Sequence, residues 1–151
     1  MSESSPLIPG GVLEAALYAP DLHSAEQFYR DVLGLQVIGR QPGRHVFFRC
    51  GQTVLLLFDP AVTTAETVFI GGRAIQRHGT QGAGHVAFAV DPGSLSAWRE
   101  HLRRMGVPID SEIVWPQGGR SIYFRDPAGN SLELATRSIW PQLTDGSNPA
   151  P

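Results

Sequence analysis

Hydrophobic and polar positions fall into one series that runs twice along the chain. Val12 to Ala19 is apolar enough for a buried strand. Asp21 is a good N-cap for a helix carrying Ala25, Phe28, Tyr29, Val32 and Leu33, and Gly34 stands where a left-handed C-cap belongs. Gln36–Arg40, Arg44–Cys50 and Thr53–Asp59 read as strands, parted by turns at Gln41-Pro42-Gly43 and Gly51-Gln52. The second half keeps the order. His85 to Val90 is a strand, and Ser94 can cap a helix bearing Leu95, Trp98, Leu102 and Met105 that stops at Gly106. Ile109–Trp115, Arg120–Arg125 and Leu132–Thr136 are three more strands, with turns at Pro116–Gly119 and Asp126–Gly129. The letters repeat too: Gly43-Arg44-His45-Val46-Phe47-Phe48-Arg49 lies over Gly119-Arg120-Ser121-Ile122-Tyr123-Phe124-Arg125 at one offset, 44 to 120.

A βαβββ unit of this length is too long for a solenoid repeat. Two of them predict an α+β fold in which both modules build a curved, mixed, mostly antiparallel sheet, a cup with helices outside. The expected divisions are an N-terminal tail at 1–10, the first module at 11–59, a linker at 60–83, the second module at 84–137 and a C-terminal tail at 138–151. Both tails are polar and expected to fray. Within the linker only Thr67–Ile70 suggests an edge strand, and so long a segment is either functional or a plain crossover.

Composition narrows the partners. The 151 residues are 42% hydrophobic, enough for one core without a disulfide or structural metal. Lys+Arg 12 against Asp+Glu 14 gives a net charge of −2, which offers no basic face to nucleic acid. The single Cys50 closes no intrachain disulfide and fits a reducing cytoplasm. The aliphatic run Val54–Phe58 falls far short of the roughly 20 residues that span a bilayer. Met1 to Pro6 lacks the charged-then-apolar order of a secretory leader. A soluble, cytoplasmic protein without nucleic-acid or membrane partners is expected.

Three ionisable residues sit in strands that should be apolar: Glu14, His85 and Glu133. An unpaired buried charge costs several kcal/mol, about enough to unfold a marginal domain, so isolated placement of all three is disfavoured. Glu14 and His85 hold the same place in the first strand of each unit. Glu133 lies in the last strand of the second unit, where counting from Gly51 and Gly129 makes Leu55 its counterpart. Strand alternation puts Glu14 on a face with Ala16 and Tyr18, and His85 with Ala87 and Ala89. Small neighbours leave room for a ligand. One imidazole and two carboxylates converging on open space make a divalent-metal site. Taken singly, each has a blander reading, since a strand histidine is more often hydrogen-bonded core and a strand-end glutamate can point at water. Ser121 and Tyr123 share a strand face suited to an oxygen-rich substrate, and Arg120 follows a glycine where it can pair an anion.

Two segments resemble a known family: Asp21-Leu22, five residues, then Phe28-Tyr29-Arg30-Asp31-Val32-Leu33-Gly34-Leu35, and Tyr123-Phe124-Arg125-Asp126-Pro127-Ala128-Gly129-Asn130-Ser131-Leu132-Glu133. With the repeat and the triad, they resemble the vicinal-oxygen-chelate superfamily of glyoxalase I, bleomycin-resistance proteins, extradiol dioxygenases and fosfomycin-modifying thiol transferases. The resemblance implies a glyoxalase-like cup, a homodimer, a small-molecule substrate and one divalent ion (Mn, Fe, Zn or Ni) held by Glu14, His85 and Glu133. The chain departs from each branch. Glyoxalase I has a fourth ligand in the strand where Leu55 stands. Extradiol dioxygenases usually begin with His in place of Glu14 and carry a catalytic His where Val114-Trp115-Pro116 runs. The fosfomycin enzymes match Ser121 and Tyr123 but have Thr where Ala16 stands. The resemblance gives Glu133 the part of general base, with Tyr123 beside it and Ser121, Arg120 and Trp115 against the substrate. The leading reading is a metal-dependent enzyme of glyoxalase/dioxygenase type, a lyase or oxidoreductase. The alternative is a non-catalytic drug-binding protein of bleomycin-resistance type, with Trp115 and Tyr123 lining the cup.

Overall fold

A computed structural model describes residues 7–143; the expected tail residues 1–6 and 144–151 lie outside the described part. β1 (Glu14–Tyr18) leads into α1 (Leu22–Asp31), then β2 (Gln36–Gln41), β3 (His45–Cys50) and β4 (Thr53–Phe58). The second series is β7 (His85–Ala89), α3 (Leu95–Arg104), β8 (Ile109–Val114), β9 (Arg120–Arg125) and β10 (Ser131–Ala135). Between them lie α2 (Pro60–Ala65), β5 (Val68–Ile70) and β6 (Arg73–Ile75). The fold is α+β, with each series forming its own four-stranded mixed sheet, ordered β1-β4-β3-β2 and β7-β10-β9-β8. In each, the first and last strands pair in parallel and the others antiparallel.

Local chemistry sets the ends of these elements. Asp21 caps α1 by accepting from Ser24 N at 3.1 Å and Ser24 Oγ at 2.6 Å. Gly34 (φ 66°) and Gly106 (φ 69°) take the left-handed conformation just beyond α1 and α3. Ser94 does not cap α3 with its side chain; its hydroxyl donates instead to Asp91 O, 2.7 Å away, inside the 3₁₀ turn Pro92–Ser94. The linker holds more than the edge strand expected there. Asp59 caps α2, with Pro60 at its first position, and Gly71-Gly72 (φ 56° and 76°) close β5 and β6 into a hairpin.

One face of each sheet packs into a shared core. Leu17, Val46, Phe48, Leu55 and Leu57 meet Ala25 and Tyr29 of α1; Ile122, Phe124, Leu132 and Leu134 meet Leu95 and Leu102 of α3. The seam between the halves is polar and fully bonded. Tyr29 Oη donates to Asp126 Oδ2 at 2.7 Å, and Asp126 also accepts from Ala128 N, Asn130 N and Asn130 Nδ2, each at 2.9 Å. Asn130, 1% exposed, donates to Tyr18 O and accepts from Gly84 N. A Cβ at Gly84 would stand 2.9 Å from the tip of the Leu17 side chain, which would have to shift to admit it.

The registers correct one equivalence. Glu14 pairs with Val54 and His85 with Ser131, so the residue matching Glu133 is Leu56, and Leu55 is core. The cause is that the two turn glycines are not equivalent: Gly51 stands three residues before Val54, the strand partner of Arg49, whereas Gly129 stands only two before Ser131, the partner of Arg125. Counting from them slips by one.

Candidate functional site

The sheet faces turned away from the core carry the ionisable residues. On the second sheet, β7 presents His85, Ala87 and Ala89, β10 presents Glu133, and β9 presents Ser121 and Tyr123. Tyr123 is the direct cross-strand neighbour of Glu133, and Ser121 lies diagonally to it. His85 Nε2 stands 3.3 Å from Glu133 Oε2; the imidazole side chain is 51% exposed and the carboxylate 5%. His85 Nδ1 is 3.0 Å from the carbonyl of Ser131, which can only accept. Nδ1 therefore donates to that carbonyl, and Nε2 is the ring atom turned toward the carboxylate.

Ser121 donates to Glu133 Oε1 through a short hydrogen bond, and Trp115 Nε1 donates to Ser121 Oγ at 2.8 Å. The His85 and Tyr123 rings lie nearly parallel, 23° apart, with centroids 6.3 Å apart. Burial, reinforced by the Glu133 carboxylate, pushes the Tyr123 phenol above its ordinary pKa, so it keeps its proton at neutral pH.

Not every candidate residue joins this cluster. Glu14 lies on the other sheet, at the exposed start of edge strand β1. Among the described residues no group of three or more His, Cys, Asp or Glu is placed to hold a metal. Arg120 shares its strand phase with core-facing Ile122 and Phe124, and its guanidinium lies on the side of Arg99 and Glu112 rather than with Ser121. The two donors that do meet fit a metal in chemistry and spacing. A separation of 3.3 Å matches one edge of a coordination shell with bonds of about 2.1 Å. An imidazole nitrogen and a carboxylate oxygen are both donor types that divalent cations take. They supply two of the three ligands expected.

The open face of the first sheet holds residues the sequence did not single out together. Tyr18 Oη and His78 Nδ1 are 2.7 Å apart, and both rings pack on Phe58. His45 stacks on Phe47 with centroids 4.0 Å apart. This wall is aromatic where its counterpart is polar: Leu56 faces out in the place of Glu133, Phe47 in that of Tyr123 and His45 in that of Ser121. A cavity of about 600 Å³ opens farther on, lined by Tyr18, Pro20, Pro60, Thr64, Gly79 and Gly82, and does not include His85 or Glu133. The available signals were the shared phase of Tyr18 with Glu14 and an aromatic-rich β3.

Comparison with known proteins agrees with this architecture. The crystal structure of lactoylglutathione lyase from Agrobacterium tumefaciens is 41% identical and superposes with a TM-score of 0.81 over 87% of this chain and 97% of that one. The provisionally named ring-cleaving dioxygenase MhqE of Bacillus subtilis (strain 168) is 29% identical over 117 residues, 72% of this chain. Metallothiol transferase FosB of Bacillus licheniformis is 35% identical over 68 residues, 44% of this chain. The matched regions cover only 36% and 44% of the lengths of these two curated relatives. The family model described as Glyoxalase/Bleomycin resistance protein/Dioxygenase superfamily matches residues 11–134. With two open-faced mixed sheets built from one repeated unit and the family's sequence pattern over most of its length, the chain belongs to the Glyoxalase/Bleomycin resistance protein/Dioxygenase superfamily.

Proposed function

We propose that the protein is a divalent-metal-dependent enzyme of glyoxalase/dioxygenase type acting on a small oxygenated molecule. His85 and Glu133 of one copy hold the ion, and Glu14 of a second copy is the third ligand. The observation that carries this reading is the His85 Nε2–Glu133 Oε2 pair, an imidazole nitrogen and a carboxylate oxygen 3.3 Å apart with the carboxylate already fixed from behind. Glu14 makes no side-chain bond within the chain's described part and occupies the matching exposed start of β1, which suits a ligand given to another copy. The relatives support the class: their names describe a lyase, a ring-cleaving dioxygenase and a metal-dependent thiol transferase. A cytoplasmic homodimer completes the reading.

When bound, the ion supplies Lewis-acid polarisation of a substrate oxygen. The chain's own residues do the rest. Ser121 occupies Glu133 Oε1 and so leaves Oε2 as the oxygen open to chemistry. Tyr123 keeps its proton at neutral pH, and its hydroxyl lies against Glu133 and Ser121 on the sheet face that would meet the substrate. Ala87 and Ala89 leave the space in front of β7 clear.

Chain mixing tests the assignment. Glu14→Ala and His85→Ala proteins should each lose the ion. Unfolded and refolded together, they should regain about a quarter of wild-type metal content, since half the dimers are mixed and each mixed dimer has one intact site of two. Wild-type protein that binds no Mn²⁺ or Zn²⁺ and gains no thermal stability from either would refute the metal reading and favour the drug binder. Mixed chains with no more metal than their parents would refute the shared site.

A further inference from the structure

We infer that Trp115 is a positioning residue for the proposed metal centre, acting through Ser121 to fix which oxygen of Glu133 is free. The inference rests on the metal-dependent reading above. The direction of the relay follows from the chemistry of its ends. An indole N–H can only donate and a carboxylate can only accept, so Ser121 must take a hydrogen bond from Trp115 and give its own to Glu133. Ser121 is 1% exposed and Glu133 4%, so water does not compete for either bond. The serine proton is thereby committed to Oε1, and Oε2 alone faces His85.

The backbone that carries the indole is held in place. Trp115 N donates to Gly119 O and Gly118 N donates to Trp115 O, both at 3.0 Å, which closes the turn between β8 and β9. Gly119 adopts φ 86°, and a Cβ there would lie 2.7 Å from Ile139 N, so the turn is clamped against the segment after β10.

The repeat supplies an internal control. The first module builds the same four-stranded sheet with His45 in the place of Ser121 and Leu56 in that of Glu133. A sheet of this design folds without the relay. The relay is present only in the module that carries the His85–Glu133 pair, which assigns it to the site and not to the architecture. It also means that neither the Trp115 N–H nor the Ser121 proton is available to a substrate.

Two measurements test this. Metal affinity is read by calorimetry with Mn²⁺ alone. Trp115→Phe and Ser121→Ala should each weaken binding about tenfold, Ser121→Thr should restore it, and the double variant should be no weaker than Ser121→Ala. Affinities within twofold of wild type, or additive losses in the double variant, would overturn the inference. The second readout is the indole N–H resonance of Trp115 in metal-free protein. Glu133→Gln should move that resonance and leave those of Trp98 and Trp140 in place, and Ser121→Ala should abolish the response. A Trp115 resonance indifferent to Glu133→Gln would overturn the relay whatever the metal result. A wild-type protein that binds no metal, with the resonance responding as expected, would sink the enzymatic reading and leave the relay standing.

Discussion

Removing one oxygen atom from Tyr29 probes the seam that joins the two modules. In Tyr29→Phe the ring still packs against Phe28 and Phe48, both with centroids 5.5 Å away, so no sizeable cavity opens. What disappears is the 2.7 Å donation to Asp126 Oδ2, between residues 0% and 4% exposed. A buried hydrogen bond to a charged group contributes about 1.5–3 kcal/mol. Asp126 keeps three other donors, Ala128 N, Asn130 N and Asn130 Nδ2, so the loss stays well below that of stripping a carboxylate bare. We expect a destabilisation of about 2 kcal/mol, which for a chain of this size lowers the melting temperature by about 4–8 °C. Urea unfolding of metal-free protein measures it, with Arg103→Ala as the reference for an exposed ion pair to Glu100 that should cost little. A Tyr29→Phe protein within about 0.5 kcal/mol of wild type would refute the claim that this bond ties α1 to the second module.

Two further outcomes follow from the same structure. Gly119→Ala must place a Cβ against Ile139 at φ 86° and should destabilise by more than about 1 kcal/mol in thermal melts, whereas a neutral effect would mean that the β8–β9 turn is not clamped. Burial, with the nearby Arg44 guanidinium, holds the His45 imidazole below its ordinary value of 6.5. The unfolded chain therefore takes up this proton first, and the stability His45 lends is complete above pH 6.5 and lost as pH falls through the folded value. His45→Phe, which keeps the stack on Phe47, should lose less melting temperature than wild type between pH 7.5 and 5; parallel curves would count against this account.

The repeated unit was readable because its signals are local. An aspartate before a 3.6-residue periodicity, a glycine after it and turn residues between short apolar runs all act within a few positions of where they stand. What escaped the sequence depended on contacts between distant segments or on phase. Leu55 was matched to Glu133 because Gly51 and Gly129 look equivalent in sequence, and only the pairing of Val54 with Arg49 and of Ser131 with Arg125 shows that they stand at different distances from the following strand. Arg120 looked available to a substrate, yet strand alternation sets it opposite Ser121 once the phase of β9 is known. The Asp126–Asn130 turn carried the family pattern, and its polar residues serve the seam: Asp126 and Asn130 face Tyr29, Tyr18 and Gly84, not the metal pair. His78 stands with Arg73 and Arg77 in a linker that could close over a ligand, but its pairing with Tyr18 had no local signal, since only the folded linker brings the two together.

The two modules share a backbone plan but have parted in chemistry, and the parting explains how a duplicated unit yields one kind of site instead of two. On the second sheet, Glu133, Tyr123 and Ser121 share one face, with Ser121 hydrogen-bonded to Glu133 and the Tyr123 hydroxyl beside both. On the first, the same positions hold Leu56, Phe47 and His45, whose ring is stacked on Phe47, and Glu14 at the strand start has its side chain exposed. Each face alone is insufficient: the polar one has two donors for an ion, and the apolar one has a third donor beside an aromatic wall. On the proposed two-fold assembly each polar face meets the apolar face of the other copy, so metal ligands come from both and an apolar wall stands beside them. Loss of polarity from the first module is then no decay of a second active centre. It gives the substrate's carbon skeleton a surface to lie on while its oxygens face His85 and Glu133.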